Sequence, residues 1–172
     1  MLVEKSVAAI VFRKEAECRF LILFRKGNEN YAQKPEVFGM PKTQGVFEHK
    51  DVWEFPKGLV ESGEGEMQTA SRELQEETGL TEKDIHWVPE YHDKISFFFR
   101  DSSQELVRKE VTFLMAQTTK TEVNLSSEHT AYRWAPYLEG FDLVKAQKSY
   151  QDVLKRANEF VRKRFAQKRL FL

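Results

Sequence analysis

The chain predicts an α/β domain, and three observations predict it. Runs rich in β-branched and aromatic residues stand at 5–13, 19–25, 95–99 and 107–117. A stretch free of Gly and Pro runs from Glu66 to Thr78 and stops at Gly79, where a helix terminator belongs. Apolar residues then recur at helical spacing from Tyr150 to Phe165. With 172 residues and 41% hydrophobic content, residues 1–172 suit a single domain with one substantial core.

Composition excludes several classes. The formal net charge is zero, which implies no general affinity for nucleic acid or anionic membrane. Cys18 stands alone, so there is no disulfide framework, and a reducing compartment is expected. The apolar run Val7 to Phe12 is too short for a signal or membrane-spanning segment. The expectation is a cytoplasmic protein without membrane contact.

Taken in order, residues 5–13 and 19–25 read as a hairpin of two largely buried strands separated by the polar segment 14–18. Residues 27–51 break the pattern with Gly27, Gly39, Gly45, Pro35 and Pro41, and carry the isolated aromatics Tyr31, Phe38 and Phe47. A segment of that length is either a lid or binding loop, with His49 and Lys50 in reach of a phosphate, or a surface insertion. Residues 52–60 form a strand delivering Gly58, with Pro56 marking a strand end. Lys57 is then held beside the acidic helix, where it would offset charge or bind a substrate phosphate.

Beyond the helix, residues 85–99 and 107–117 form an antiparallel pair. Lys109 interrupts the second strand, as a phosphate contact or as an edge-strand charge that blunts aggregation. Glu128 and His129 lie in a loop before a short strand from Tyr132 to Ala135. Glu128 over the acidic helix would complete a metal shell or take a proton from water; Tyr132 would stack on a base or fill the core. Residues 141–168 close the domain as one long helix, with seven cations and one acid between Lys155 and Arg169. Its cations read first as a solvated surface and second as an RNA-contacting face.

The acidic helix and the loop before it, Gly58 to Leu80, carry the chemistry. Six carboxylates (Glu61, Glu64, Glu66, Glu73, Glu76, Glu77) stand against one cation, Arg72. At about 100° per residue, Met67, Ala70 and Leu74 form an apolar face, with Glu66, Glu73 and Glu77 on its flank and Glu76 beside them. Like charges three and four apart repel by a few tenths of a kcal/mol per pair, and by more when desolvated. A hard divalent cation with oxygen ligands removes that cost. Bound near a phosphoanhydride, such a cation neutralises leaving-group charge and supplies hydroxide at neutral pH, while a free carboxylate orients the attacking water. No HExxH, CxxC, Walker A or GxGxxG pattern competes.

The pattern of Gly58, five residues, Glu64, seven residues, then Arg72-Glu73-Leu74-Gln75-Glu76-Glu77-Thr78-Gly79-Leu80 resembles the signature of the Nudix hydrolases. The resemblance implies an α/β/α sandwich with a mixed sheet, and hydrolysis of a nucleoside diphosphate linked to another group with Mg²⁺ or Mn²⁺. Carried over position by position, it implies the Gly58 carbonyl, Glu73, Glu76 and Glu77 as metal ligands. Arg72 would orient the glutamates with Glu64 as its partner, and the catalytic set would be Glu76, Glu128 and Arg72.

Outside this stretch, Trp53-Glu54-Phe55-Pro56-Lys57-Gly58, the Lys109 strand, and Ser127-Glu128-His129 followed by Ala131-Tyr132-Arg133-Trp134 resemble the diadenosine tetraphosphate hydrolase branch. That branch implies cleavage of dinucleoside polyphosphates to ATP and AMP, with Lys57, Lys109 and Tyr132 on the substrate. Phe55, Val52 and Phe97 depart from its usual residues. An RNA 5′-pyrophosphohydrolase and a pyrophosphatase for nucleotide sugars or modified NTPs are the alternative readings.

Overall fold

The structure is a computed structural model and describes residues 2–27, 51–100 and 103–169. Tyr31, Phe38, Phe47, His49 and Lys50, with most of the expected 27–51 segment, lie outside the described residues. The two ends of that segment meet, because the Gly27 N–H donates to Asp51 Oδ1 over 2.9 Å.

Seven strands form one mixed sheet: β1 (Leu2–Arg13), β2 (Arg19–Arg25), β3 (Val52–Glu54), β4 (Lys57–Leu59), β5 (Ile85–Arg100), β6 (Leu106–Thr118) and β7 (Ala131–Pro136). The path runs β3-β2-β1-β6-β5, with β4 on β1 and β7 on β2. β1 pairs parallel with β6 from Leu2↔Val107 to Arg13↔Thr118, and the other pairings are antiparallel. Residues 6–12 of β1 are buried without interruption, as expected of a central strand covered on both faces.

The covering layers follow the strand period of two. Ala8, Ile10 and Phe12 share a cluster with Tyr150, Val153, Leu154, Ala157 and Val161 of the C-terminal helix α3 (Lys148–Arg169). Val7, Ala9 and Val11 face Ala70 and Leu74 of α1 (Glu66–Thr78) instead. The result is the α/β/α sandwich with a mixed sheet. No helix among the described residues is long and apolar enough to cross a membrane.

Four details differ from the sequence reading. The segment 52–60 is not one strand but two, because β3 pairs with β2 and β4 with β1 on either side of Phe55-Pro56. The closing helix does not run unbroken from 141: a helix α2 (Tyr137–Leu143) and a 3-10 turn (Val144–Ala146) precede α3, with Gln147 extended at φ −125°. Gly140 fits α2 into this packing, since a Cβ there would lie 3.1 Å from Ile22 and 3.2 Å from Leu154; α2 lies close against both β2 and α3, which a straight continuation into α3 could not do. Met67 is 42% exposed rather than buried on the apolar face. Finally, β6 lies between β1 and β5, so Lys109 is not on an edge strand.

Candidate active site

The site grows from a divergence in the sheet. β1 and β2 pair only at Phe12↔Phe20 and Arg13↔Arg19 and then separate. β3 and β4 occupy the wedge between them, with Gly58 opposite Val7 and Glu54 opposite Leu23. The Pro56 carbonyl accepts from the Ala9 N–H over 2.8 Å, which keeps the turn between β3 and β4 in register with β1.

Helix α1 sets its carboxylates against this wedge. It begins after Gly65, whose N–H donates to Gln68 Oε1 over 2.8 Å. It ends at Gly79, where φ is +70° and the N–H donates to the Gln75 carbonyl over 2.8 Å. Leu74 and Ala70 bury one side, which turns Glu73 and Glu77 toward β4.

At Gly58 the helix and strand come so close that an added Cβ would lie 1.8 Å from the Glu73 carboxylate. Only glycine leaves room for that carboxylate over the backbone. Glu77 is 6% exposed, and its Oε2 accepts the Lys57 N–H over 3.0 Å. Burial pushes the Glu77 carboxyl up to about 7, against the pull of His129 and Lys57. Glu76 is the outer member, with a side chain 60% exposed.

Arg72 orders the group. Its guanidinium donates to both Glu64 oxygens over 2.7 and 2.9 Å, to Glu73 Oε1 over 2.6 Å and to the Leu59 carbonyl over 2.9 Å. Glu76 Oε2 is 3.5 Å away. The planar fork thus ties the loop, the strand and the helix together, which a lysine could not do. Glu64 also accepts from Thr69 Oγ1 over 2.9 Å, and Arg72 holds its carboxyl down at about 2.

The remaining expected site residues fall at different distances from this centre. The loop before β7 is stitched to the end of α1 by Asn124 N–H to the Thr78 carbonyl (2.8 Å) and Ser126 N–H to the Glu77 carbonyl (3.2 Å). Glu128 sits exposed in the turn of that loop, without an ion pair among the described residues. Tyr132 is partly buried on β7 opposite Leu23 and packs on the cluster containing Leu21 and Leu74. Lys109 pairs with Glu4 across the β1–β6 ladder and with Phe97 across β5–β6, three residues along β1 from the level of Gly58. It makes no contact with the carboxylates of α1. Glu66, expected beside Glu73 and Glu77, instead meets His92 Nε2 and Thr112 Oγ1, each at 2.9 Å, toward β5 and β6.

Sequence reasoning assigned no role to Glu54, which is 1% exposed and pairs with Arg25 and Lys57 at 2.8 and 3.1 Å. The available signal was a lone carboxylate flanked by the apolar residues Val52, Trp53 and Phe55.

The donor chemistry of the wedge suits a hard cation. Glu73, Glu76, Glu77 and the Gly58 carbonyl offer oxygen only, although among the described residues no three carboxylates stand close enough together to form a metal site as they are.

Comparison with known proteins agrees. A family model described as NUDIX domain matches residues 4–157. An asymmetrical bis(5′-nucleosyl)-tetraphosphatase of Sus scrofa is 32% identical over 111 residues, 63% of this chain and 71% of that protein. An RNA pyrophosphohydrolase of Francisella philomiragia is 33% identical over 124 residues, 66% of this chain and 79% of that protein. A C. elegans Ap4A hydrolase binary complex superimposes with a TM-score of 0.70 over 93% of this chain and 98% of that one; at 22% identity this speaks to the fold alone. Nudix enzymes generally use a divalent metal, in keeping with the oxygen donors gathered here. The chain belongs to the Nudix hydrolase family and is a Nudix pyrophosphohydrolase.

Proposed function

We propose that this enzyme hydrolyses a dinucleoside polyphosphate such as diadenosine tetraphosphate, giving ATP and AMP, with Mg²⁺ or Mn²⁺ as its cofactor. The observation that carries the metal-dependent chemistry is the close approach of Glu73 to Gly58 under the clamp of Arg72, with Glu77 buried against the Lys57 N–H of the same strand. The dinucleotide reading is supported by the Sus scrofa relative and by the string from Ser127 to Trp134.

In this reading Glu73, Glu76, Glu77 and the Gly58 carbonyl hold the cation. When bound, the cation neutralises charge on the pyrophosphate and lowers the pKa of water. Arg72 holds Glu73 and Glu64 in place and itself stays charged through its bonds to them. Glu128 or Glu76 would accept the proton of the attacking water. Lys57 presents its ammonium to a phosphate, Lys109 contacts the polyphosphate further along the sheet, and Tyr132 lies against a base.

A second reading, hydrolysis at an RNA 5′ end, is supported by the Francisella philomiragia relative. The deciding experiment incubates the protein with Mg²⁺ and either diadenosine tetraphosphate or 5′-triphosphorylated RNA, reading products by mass. Saturable release of ATP and AMP, little affected by salt, supports the proposal. Preferential turnover of RNA that falls steeply with salt overturns it.

A further inference from the structure

Glu54 is the most deeply buried carboxylate among the described residues, at 1% exposure, and its two oxygens have different partners. Oε1 meets Arg25 Nε at 2.8 Å and His129 Nε2 at 3.6 Å; Oε2 meets Lys57 Nζ at 3.1 Å. His129 is itself 4% exposed, and among the described residues neither ring nitrogen has a hydrogen-bond partner. Glu54 Oε1 lies 3.6 Å from Nε2, so a small rotation of either side chain would bring the two into hydrogen-bond range. One carboxylate therefore joins β2, β3, β4 and the loop that carries Glu128.

A buried ion pair is weak support for stability, since apolar residues of similar size commonly serve as well. The arrangement is better explained by what it does to Lys57. The backbone N–H of Lys57 is held by Glu77 at 3.0 Å, and its ammonium by Glu54. Both ends of the residue are thus pinned, one by the acidic helix and one by β3. The ammonium has three donors and, among the described residues, one carboxylate partner, and its side chain is 22% exposed, which leaves it capacity to bind an anion as well.

We infer that Glu54, oriented by His129, is a positioning residue that aims the Lys57 ammonium at the substrate phosphate. This rests on the assignment of Lys57 to substrate binding made above. A neutral residue at 54 leaves Lys57 free to swing, so the loss should fall on KM more than on kcat. It should also vanish when Lys57 no longer carries an ammonium.

The test is a double-substitution cycle on the full chain with diadenosine tetraphosphate and Mg²⁺, using Glu54→Gln, Lys57→Met and the pair. Expected is a rise in KM of about tenfold for each single variant, the scale of one charge-assisted hydrogen bond, with the pair no worse than Lys57→Met alone. Mn²⁺ affinity, read by titration calorimetry without substrate, should stay near wild type in Glu54→Gln. If Lys57→Met impairs KM but the two effects multiply, the positioning role is overturned while the Lys57 assignment stands. If Lys57→Met has normal kinetics, both fall. Should Glu54→Gln fail to fold, His129→Phe and His129→Gln replace it. The inference then requires that Phe raise KM, that Gln restore it by keeping a donor, and that neither act in the Lys57→Met background.

Discussion

A methyl group on Gly58 would lie 1.8 Å from the carboxylate of Glu73, so this strand residue and this helix residue can coexist only because one of them has no side chain. Gly58→Ala must push Glu73 aside and break its 2.6 Å bond to Arg72. Turnover is expected to fall about 100-fold, the usual cost of an ångström-scale misplacement, with weaker Mn²⁺ binding. Steady-state kinetics and a metal titration check this, and wild-type values for both would remove the close approach from the mechanism.

Glu76 and Glu77 differ in burial, and their glutamine variants should differ in stability. Both should lose more than about 100-fold in turnover, as expected for metal ligands. In metal-free protein Glu77→Gln should raise Tm, by about 2–4 °C for each kcal/mol of buried charge relieved, whereas the exposed Glu76 should leave Tm unchanged. Adding Mg²⁺ should raise the wild-type Tm and raise that of Glu77→Gln less. Thermal unfolding with and without Mg²⁺ measures all three.

Arg72→Lys keeps the charge and loses the fork. A lysine cannot bond both Glu64 oxygens, Glu73 and the Leu59 carbonyl at once. The expected outcome is a loss of at least about tenfold in kcat/KM with an unchanged fold by circular dichroism, one charge-assisted bond being worth that much. Full activity would contradict the organising role.

Asp84 gives the fold an acid-sensitive anchor away from the site. Its Oδ2 accepts the Thr81 N–H (2.9 Å) and hydroxyl (2.8 Å), and Lys120 lies 3.1 Å from Oδ1. The Thr81 N–H and hydroxyl, with Lys120, hold its pKa at about 2, below its ordinary 3.8. A depressed carboxylate contributes stability above its unfolded pKa and loses it as pH falls through the folded value. Asp84→Asn should therefore be less stable than wild type at pH 6, and the gap should close between about pH 4 and pH 2. Urea unfolding at several pH values measures the gap; one that persists at pH 2 would assign the loss to packing.

The strands were legible because their periodicity is local: the buried run of β1 and the β5–β6 pair stand where the apolar pattern puts them. The acidic cluster proposed to bind metal was legible for the same reason, since Glu73, Glu76 and Glu77 are fixed neighbours on any helix. Lys109 and Glu66 were less so. Each was read from its own strand or helix, yet Lys109 is taken by Glu4 from a residue 105 positions away, and Glu66 by His92 and Thr112. Such partners are chosen by sheet order and register, which no local pattern contains.

By itself the sequence determined the acidic helix, its stop at Gly79, and the family. These depend on residue type and spacing within one stretch. Only the tertiary structure decided that β1 and β2 diverge, that β3 and β4 fill the wedge, that α2 breaks from α3 at residues 144–147, and that Glu54 is buried among Arg25, Lys57 and His129. The physical reason is that a buried charge is tolerated only where distant segments bring its counter-charges together, and that meeting belongs to the packed chain as a whole.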